Sequence, residues 1–303
     1  MSSIIIGSRG SSLALQQSHH IRNLLQSAHP HLGVEIKTIQ SLGDNQQGTP
    51  LPEIGAKGLF TAEIESELLS QKIDLAVHSL KDLPSSLPDG LKYIGSPKRK
   101  DARDVFISHR WRSLEDAPVK SIIASGSARR KAQVLEVSSD VEFRDLRGNI
   151  ETRLDKLKSE GWDGIIMAAA ALHRLNMTEQ ITRYLDPLQF VPAVGQGAIG
   201  LEIKQGRGKI EQLVESIIDI ETTQCCQAER LFLSLLEGGC SSAIGCWGRM
   251  ENRRFLITGY AAASNGSKVV RKSLKGMPAD SSQLALQLAK DFEKAGAKEL
   301  LGK

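Results

Sequence analysis

Apolar residues along this chain recur in two rhythms. Short dense or alternating runs predict strands: Ile4-Ile5-Ile6, Val34-Glu35-Ile36-Lys37-Thr38-Ile39, Leu75-Ala76-Val77, Val105-Phe106-Ile107, Ile122-Ile123-Ala124, Val141 to Leu146, and Gly164-Ile165-Ile166-Met167. Between them, apolar residues at helical spacing predict helices. One runs from about Ser12 to Ser27, with Leu13, Ile21, Leu24 and Leu25 on one side; another runs from Gly58 to Gln71 on Phe60, Ile64 and Leu68. Others start at Ala128 and Asn149 and cover Ala168 to Leu175. The stretch from Pro84 to Gly95 reads as turns. This alternation predicts α/β sheets with helices on both faces, and such sheets take ligands at the carboxyl ends of their strands.

From about Thr222 the rhythm changes. A long helix from Thr223 to Leu236 ends at Gly238-Gly239. Strand-like Phe255 to Thr258 and Lys268 to Arg271 flank Asn265-Gly266, a hairpin signal, and an amphipathic helix from Ser281 to Lys294 carries Leu284, Leu288 and Phe292 on one stripe. This part reads as a small α+β domain.

Composition narrows the function more than the fold. With 303 residues the chain has room for two or three domains. A net charge of +4 and 4% aromatics argue against a nucleic-acid binder, which needs a basic stripe and stacking rings. The first residues have neither the basic region nor the apolar run of a signal peptide, and no apolar run reaches the ~18 residues of a membrane span. Cys225, Cys226, Cys240 and Cys246 form no C-x-x-C pair, so free thiols and a cytoplasmic setting are expected.

The positive charge is concentrated where strands give way to helices. Ser125-Gly126-Ser127-Ala128-Arg129-Arg130 follows one strand-like run; Arg147-Gly148-Asn149 follows another and leads to Arg153. Helix N-termini present unpaired N–H groups to anions, and arginine adds a planar fork that matches a carboxylate. A ligand with several negative groups is implied. Asp82, ending Ala76-Val77-His78-Ser79-Leu80-Lys81-Asp82, is the odd charge out and the place for chemistry, although an N-cap or a partner for Lys81 is the plainer reading.

Other motifs carry less. Gly195-Gln196-Gly197-Ala198-Ile199-Gly200 fits G-x-G-x-x-G, but Leu201-Glu202-Ile203 after it reads as strand, where a dinucleotide site needs a helix. A glycine-rich crossing between domains suits it better. His19-His20 reads as a solvated pair and His78 as a core histidine; no histidine pair has metal-ligand spacing, and no G-x-S-x-G elbow is present. Cys240, in a loop after two glycines, leans toward an exposed, modifiable thiol.

In order along nearly the whole chain, these pieces resemble the porphobilinogen deaminase (hydroxymethylbilane synthase) family. The resemblance rests on Gly7-Ser8-Arg9, Lys57-Gly58-Leu59-Phe60, Ala76 to Asp82, Arg103-Asp104, Arg129-Arg130, Leu146-Arg147-Gly148-Asn149, Thr152-Arg153-Leu154, Val191 to Ala198, Ala228-Glu229-Arg230 and Leu236-Glu237-Gly238-Gly239-Cys240. It implies a transferase of haem and other tetrapyrrole biosynthesis that joins four porphobilinogen molecules head to tail, releases ammonia at each step, and then frees hydroxymethylbilane.

The resemblance further implies one covalent dipyrromethane cofactor per chain, on Cys240 as a thioether. Lys57, Ser79, Lys81, Asp82, Ser125, Ser127, Arg129, Arg130, Arg147 and Gly148 would hold it. Arg9, Ser11, Arg147, Arg153, Arg174 and Gln196 would bind substrate, and Asp82 would be catalytic, hydrogen-bonding pyrrole N–H groups and steadying positive charge. No metal is implied. The family fold implies two type-2 periplasmic-binding-protein-like α/β domains with a central cleft, residues 1–98 with 197–218 and residues 103–192, plus a small α+β domain over 220–303 carrying the cysteine. A cytoplasmic monomer passing product to uroporphyrinogen-III synthase, with no nucleic-acid or membrane partner, completes the expectation.

Three positions depart from the family's usual pattern. Ser125-Gly126-Ser127-Ala128 stands where Thr-Ser-Ser-x is common, Lys100 where an acid is common, and Ser241-Ser242-Ala243 where Gln-Val-Pro follows the cysteine. The rival reading is a non-catalytic two-lobed binder of a polyanionic small ligand, which needs neither Cys240 nor Asp82.

Overall fold

A computed structural model describes residues 3–41, 61–236 and 242–302. The helix expected from Gly58 is therefore described from Ala62 onward; Lys57, Cys240 and Ser241 lie outside the described residues. The chain divides into two compact units. One comprises Met1–Lys100 with Ala198–Gln224, the other Asp101–Gly197 with Cys225–Lys303.

The first unit is built on a five-stranded sheet of order β2-β1-β3-β10-β4. Its strands are β1 (Ser3–Ser8), β2 (Gly33–Thr38), β3 (Leu75–Ser79), β4 (Leu91–Gly95) and β10 (Ile199–Lys204). β1 is parallel to β2 and β3, whereas β10 is antiparallel to β3 and β4. Alternation divides the side chains between two layers. Ile4, Ile6, Leu75 and Val77 join Ile21 and Leu25 of α1 (Ser12–Ala28) and Ile210 and Val214 of α6 (Gly208–Glu215). Ala76 faces the other way, with Ile64 and Leu68 of α2 (Ala62–Leu69). Leu91–Gly95, expected as turn, is a strand: β10 supplies a partner that the local sequence does not reveal.

The second unit holds two sheets. The larger has order β7-β6-β8-β5-β9, from β5 (Asp104–Ile107), β6 (Ile122–Ala124), β7 (Glu142–Arg144), β8 (Gly164–Ala168) and β9 (Arg183–Tyr184). Val105, Ile165 and Met167 pack with Leu154 and Leu157 of α4 (Ile150–Ser159) on one face. Phe106, Ile123 and Ile166 pack with Val134 of α3 (Ala128–Val137) on the other. α5 (Ala169–Arg174) follows β8 directly.

The smaller sheet is an antiparallel meander of β11 (Ile244–Glu251), β12 (Arg254–Ala262) and β13 (Val269–Gly276). It packs on α7 (Ile220–Leu235), which enters this unit at Cys225, and on α8 (Ser281–Lys294). Phe232 and Phe292 meet edge to face, with centroids 5.0 Å apart. Gly259 beneath them leaves the room: a Cβ there would lie 2.9 Å from both rings. The described fold is thus two mixed α/β sheets and a small C-terminal α+β sheet. No described helix is long and apolar enough to cross a membrane.

Candidate active site

In the first unit, β1 and β3 are parallel neighbours, so the residues that leave their carboxyl ends share one edge. Arg9 follows β1, and Asp82 ends the 3-10 turn Leu80–Asp82 that follows β3. Ser11 caps α1 at this edge, its hydroxyl accepting from the Ala14 N–H at 3.3 Å. Arg9, Ser11, Ser79 and Asp82 line one small cavity of about 60 Å³, together with Gln17 and His78. Gln17 Nε2 donates to Ser79 Oγ at 2.9 Å and fixes that hydroxyl. Lys81, in the same turn, is half-buried.

In the second unit, β6, β7 and β8 are parallel, so α3, α4 and α5 all begin at one edge. Ser127 caps α3, accepting from the Arg130 N–H at 3.4 Å, and Asn149 caps α4, accepting from the Thr152 N–H at 2.8 Å. The loops bearing these caps lie against each other. The Ser125 N–H donates to the Arg144 carbonyl at 2.9 Å, and a Cβ on Gly126 would sit 3.2 Å from the Leu146 carbonyl oxygen.

Gly148 holds φ +107° between these caps, and Arg153 Nε donates to its carbonyl at 2.8 Å. Arg147 is half-buried and has neither a hydrogen bond nor an ion pair to another described residue. Arg174 ends α5 and gives Nη2 to the Gly197 carbonyl at 2.8 Å. Burial pushes its guanidinium down to about 10, which still leaves it charged at neutral pH.

Arg129 and Arg130 sit differently. They are 3% and 7% exposed and share Asp104, which is fully buried at the start of β5. Arg129 Nη1 reaches Asp104 Oδ2 at 2.7 Å and the Val191 carbonyl at 2.7 Å. Arg130 commits every guanidinium nitrogen to the protein: Nε and Nη2 to Asp104 Oδ1, and Nη1 to the Ile166 carbonyl. Gln196 Nε2 adds bonds to Asp104 Oδ1 at 3.0 Å and the Ala102 carbonyl at 2.7 Å. Burial alone would push the Asp104 carboxyl up, but the two guanidinium groups and Gln196 hold it at about 2. One of the two arginine charges is therefore cancelled inside the protein.

Asp104 is the residue that reading the sequence for sites overlooked. Its signal was an acid immediately before the apolar run Val105-Phe106-Ile107. Glu202 gave a similar one, a lone acid within Ile199 to Ile203, and it is the buried partner of His78. The G-x-G-x-x-G segment leads into β10, a strand, as its flanking residues suggested; Gly195 and Gly197 have positive φ, and the Gly195 N–H is held by Glu229 at 2.7 Å.

The donors at the second unit's edge are guanidinium forks, capped helix N-termini and loop amides, a set whose chemistry fits a small molecule with several carboxylates. The Asp82 carboxyl lines a separate cavity, in the first unit. Residues 4–212 match the family model described as "Porphobilinogen deaminase, dipyromethane cofactor binding domain", and residues 223–294 match "Porphobilinogen deaminase, C-terminal domain". Porphobilinogen deaminase of Alkaliphilus metalliredigens is 43% identical over 301 residues, covering 99% of this chain and 95% of its own. That of Syntrophobacter fumaroxidans is 40% identical over 298 residues, covering 98% and 96%.

The chain belongs to the porphobilinogen deaminase family, transferases of porphyrin biosynthesis with a dipyrromethane cofactor. Among solved structures, the methionine-binding protein MetQ aligns with a TM-score of 0.45 at 11% identity, over 71% of this chain and 90% of that one.

Proposed function

We propose that the residues described above carry out the family's reaction, the stepwise joining of four porphobilinogen molecules with release of ammonia and then of hydroxymethylbilane. The observation that carries the assignment of roles is that Arg9, Ser11, Ser79 and Asp82 line one cavity at a strand edge. When bound, the dipyrromethane, anchored at Cys240, supplies the pyrrole carbon to which the first substrate is joined. Cys240 and Lys57 enter this reading through the sequence alone.

Each porphobilinogen ring bears an acetate and a propionate, so the bound material is a dense polyanion. Arg147, with no acidic partner among the described residues, takes a carboxylate directly, and Gly148 lets the loop amides approach it. Ser125 and Ser127 add hydroxyls at the head of α3. Arg129, Arg130 and Gln196, locked on Asp104, shape the cradle and leave one net positive charge in it. Arg9, Arg153 and Arg174 orient incoming substrate, and Lys81 adds charge beside Asp82. The Asp82 carboxylate accepts from pyrrole N–H groups and steadies positive charge as it develops.

The three-domain division at 1–98 with 197–218, 103–192 and 220–303 belongs to this reading, with the cofactor cysteine in the third domain. So do a cytoplasmic monomer and transfer of the product to uroporphyrinogen-III synthase. Intact mass under denaturing conditions tests the cofactor and its anchor. The protein as purified should carry an adduct of two porphobilinogen units less two ammonias, absent from Cys240→Ser. An unmodified mass that porphobilinogen cannot shift would mean a binding protein with this fold and without the chemistry.

A further inference from the structure

The first unit contains a buried ionisable cluster that the roles above do not use. His78 lies on β3 opposite Gly200, and Glu202 lies opposite Ala76, two residues along β10. Directly opposed residues of an antiparallel pair point to the same face, so His78 and Glu202 share the face of Ala76, beneath α2. His78 Nε2 is 3.0 Å from Glu202 Oε2, and the two side chains are 3% and 0% exposed. Glu65, on α2, is 6% exposed. Oε1 of Glu65 and Oε1 of Glu202 are both buried with no hydrogen-bond partner among the described residues.

Three buried ionisable groups on adjoining elements are costly, so a purely structural purpose is a poor explanation for them. An ionised carboxylate only accepts, so Glu202 requires Nε2 to carry the proton and leaves Nδ1 as the basic nitrogen of the ring. Burial, with Glu202 close by, pushes the Glu65 carboxyl up against weaker pulls down from Thr61 and His78. His78 also lines the same cavity of about 60 Å³ as Asp82, room for water to connect them. The other charged or polar groups facing this cavity are Arg9 after β1, Ser11 at the cap of α1, Gln17 of α1, Thr61 before α2, and Ser79.

We propose that His78, fixed by Glu202 and backed by Glu65, is a positioning and proton-storing residue that relieves Asp82 during turnover through the cavity they share. The inference rests on the role given to Asp82. For each porphobilinogen joined, the C–N bond of the aminomethyl group breaks and ammonia leaves, a C–C bond forms, and one pyrrole carbon loses its proton. The aminomethyl group enters as an ammonium, so the sum is one ammonium released. The carbon's proton comes off last, after ammonia has left, so the protein must take it up and hand it on before the next cycle. His78 Nδ1 takes it by way of Asp82 and returns it toward solvent.

The test uses the holoenzyme with His78→Gln, Glu202→Gln and Glu65→Gln, beside Asp82→Asn. For His78→Gln we expect an unchanged adduct mass, KM within about twofold, and kcat lower by about tenfold to a hundredfold, the lower end of general acid–base effects. Glu202→Gln should shift the kcat–pH profile without unloading the cofactor, and Glu65→Gln should shift it less. Nitrogen-15 NMR of the wild-type protein should show the Nε2-protonated form of neutral His78, and Glu202→Gln should lose that preference.

Unchanged kcat and pH profile in His78→Gln overturn the proposal. So does a fall in cofactor loading and thermal stability that accounts for the lost rate, because that is the mark of a structural role. An Nδ1-protonated ring in the wild type overturns it even if His78→Gln does not fold; in that case Glu65→Gln, which removes a titratable group and little else, supplies the kinetic arm. An active Asp82→Asn would remove the role of Asp82 itself, whereas an inactive Asp82→Asn with a normal His78→Gln would remove the relay alone.

Discussion

Arg130 grips Asp104 through two nitrogens, Nε at 3.0 Å and Nη2 at 2.7 Å from the same carboxylate oxygen, with neither side chain open to solvent. A buried pair of this kind is costly to break from one side, since the surviving charge is left without its partner. Asp104→Ala leaves two buried guanidinium groups facing each other. Denaturant unfolding should show it less stable by about 3–5 kcal/mol. A loss under about 1 kcal/mol would mean that water reaches the cluster and screens it.

The same carboxylate sets an acid limit. Its folded value of about 2 lies below the ordinary 3.8, so its contribution is fully present above about pH 4 and lost as pH falls through 2. The contribution is on the order of 2 kcal/mol. Comparing acid unfolding of the wild type with Asp104→Asn should show this part of the pH slope flattened in the variant.

Two arginines of the same unit should behave oppositely when removed. Arg147→Ala should leave the thermal midpoint within a degree or two, because no described residue depends on it, while kcat/KM falls by about tenfold to a hundredfold through loss of a charge-assisted bond. Arg129→Ala should lower the midpoint clearly, because it frees Asp104 Oδ2 and leaves the Val191 carbonyl only the longer bond from Gln133 Nε2. Melting curves and steady-state kinetics on both variants separate the two effects.

Asp82→Asn keeps the size of the side chain and removes its charge. The adduct mass should persist while turnover drops by about a hundredfold or more, as for loss of a group that steadies developing charge. Near-normal turnover would remove Asp82 from the chemistry.

Gly148→Ala tests the loop between the two helix caps. At φ +107° a side chain is strained, and its Cβ would lie 2.8 Å from Thr152 Cγ2. The variant should lose about 1–3 kcal/mol of stability and weaken porphobilinogen binding, since the Arg147 loop must shift to relieve the contact.

Strand and helix positions were largely legible from residue order, because period-2 and period-3.6 burial write themselves into neighbouring residues. The expected helix from Ser281 to Lys294 is observed over those residues, and Asn149 caps the helix that was expected to start there. Short elements whose partners are distant were not legible. Leu91–Gly95 becomes a strand through pairing with Ile199–Lys204, more than a hundred positions away. The helix caps at the junctions rich in arginine and serine were legible too, since a capping side chain lies beside its helix in the sequence.

What each charge is used for was decided by tertiary structure. Arg129, Arg130 and Arg147 look alike along the chain, yet packing buries two of them on Asp104 and leaves the third without an acid among the described residues. Likewise His78 and Glu202 read as an ordinary core histidine and a stray acid until antiparallel pairing brings them to 3.0 Å. The type of each residue fixes what it can donate or accept; only the fold decides whether its partner is another side chain, cancelling its charge, or a ligand.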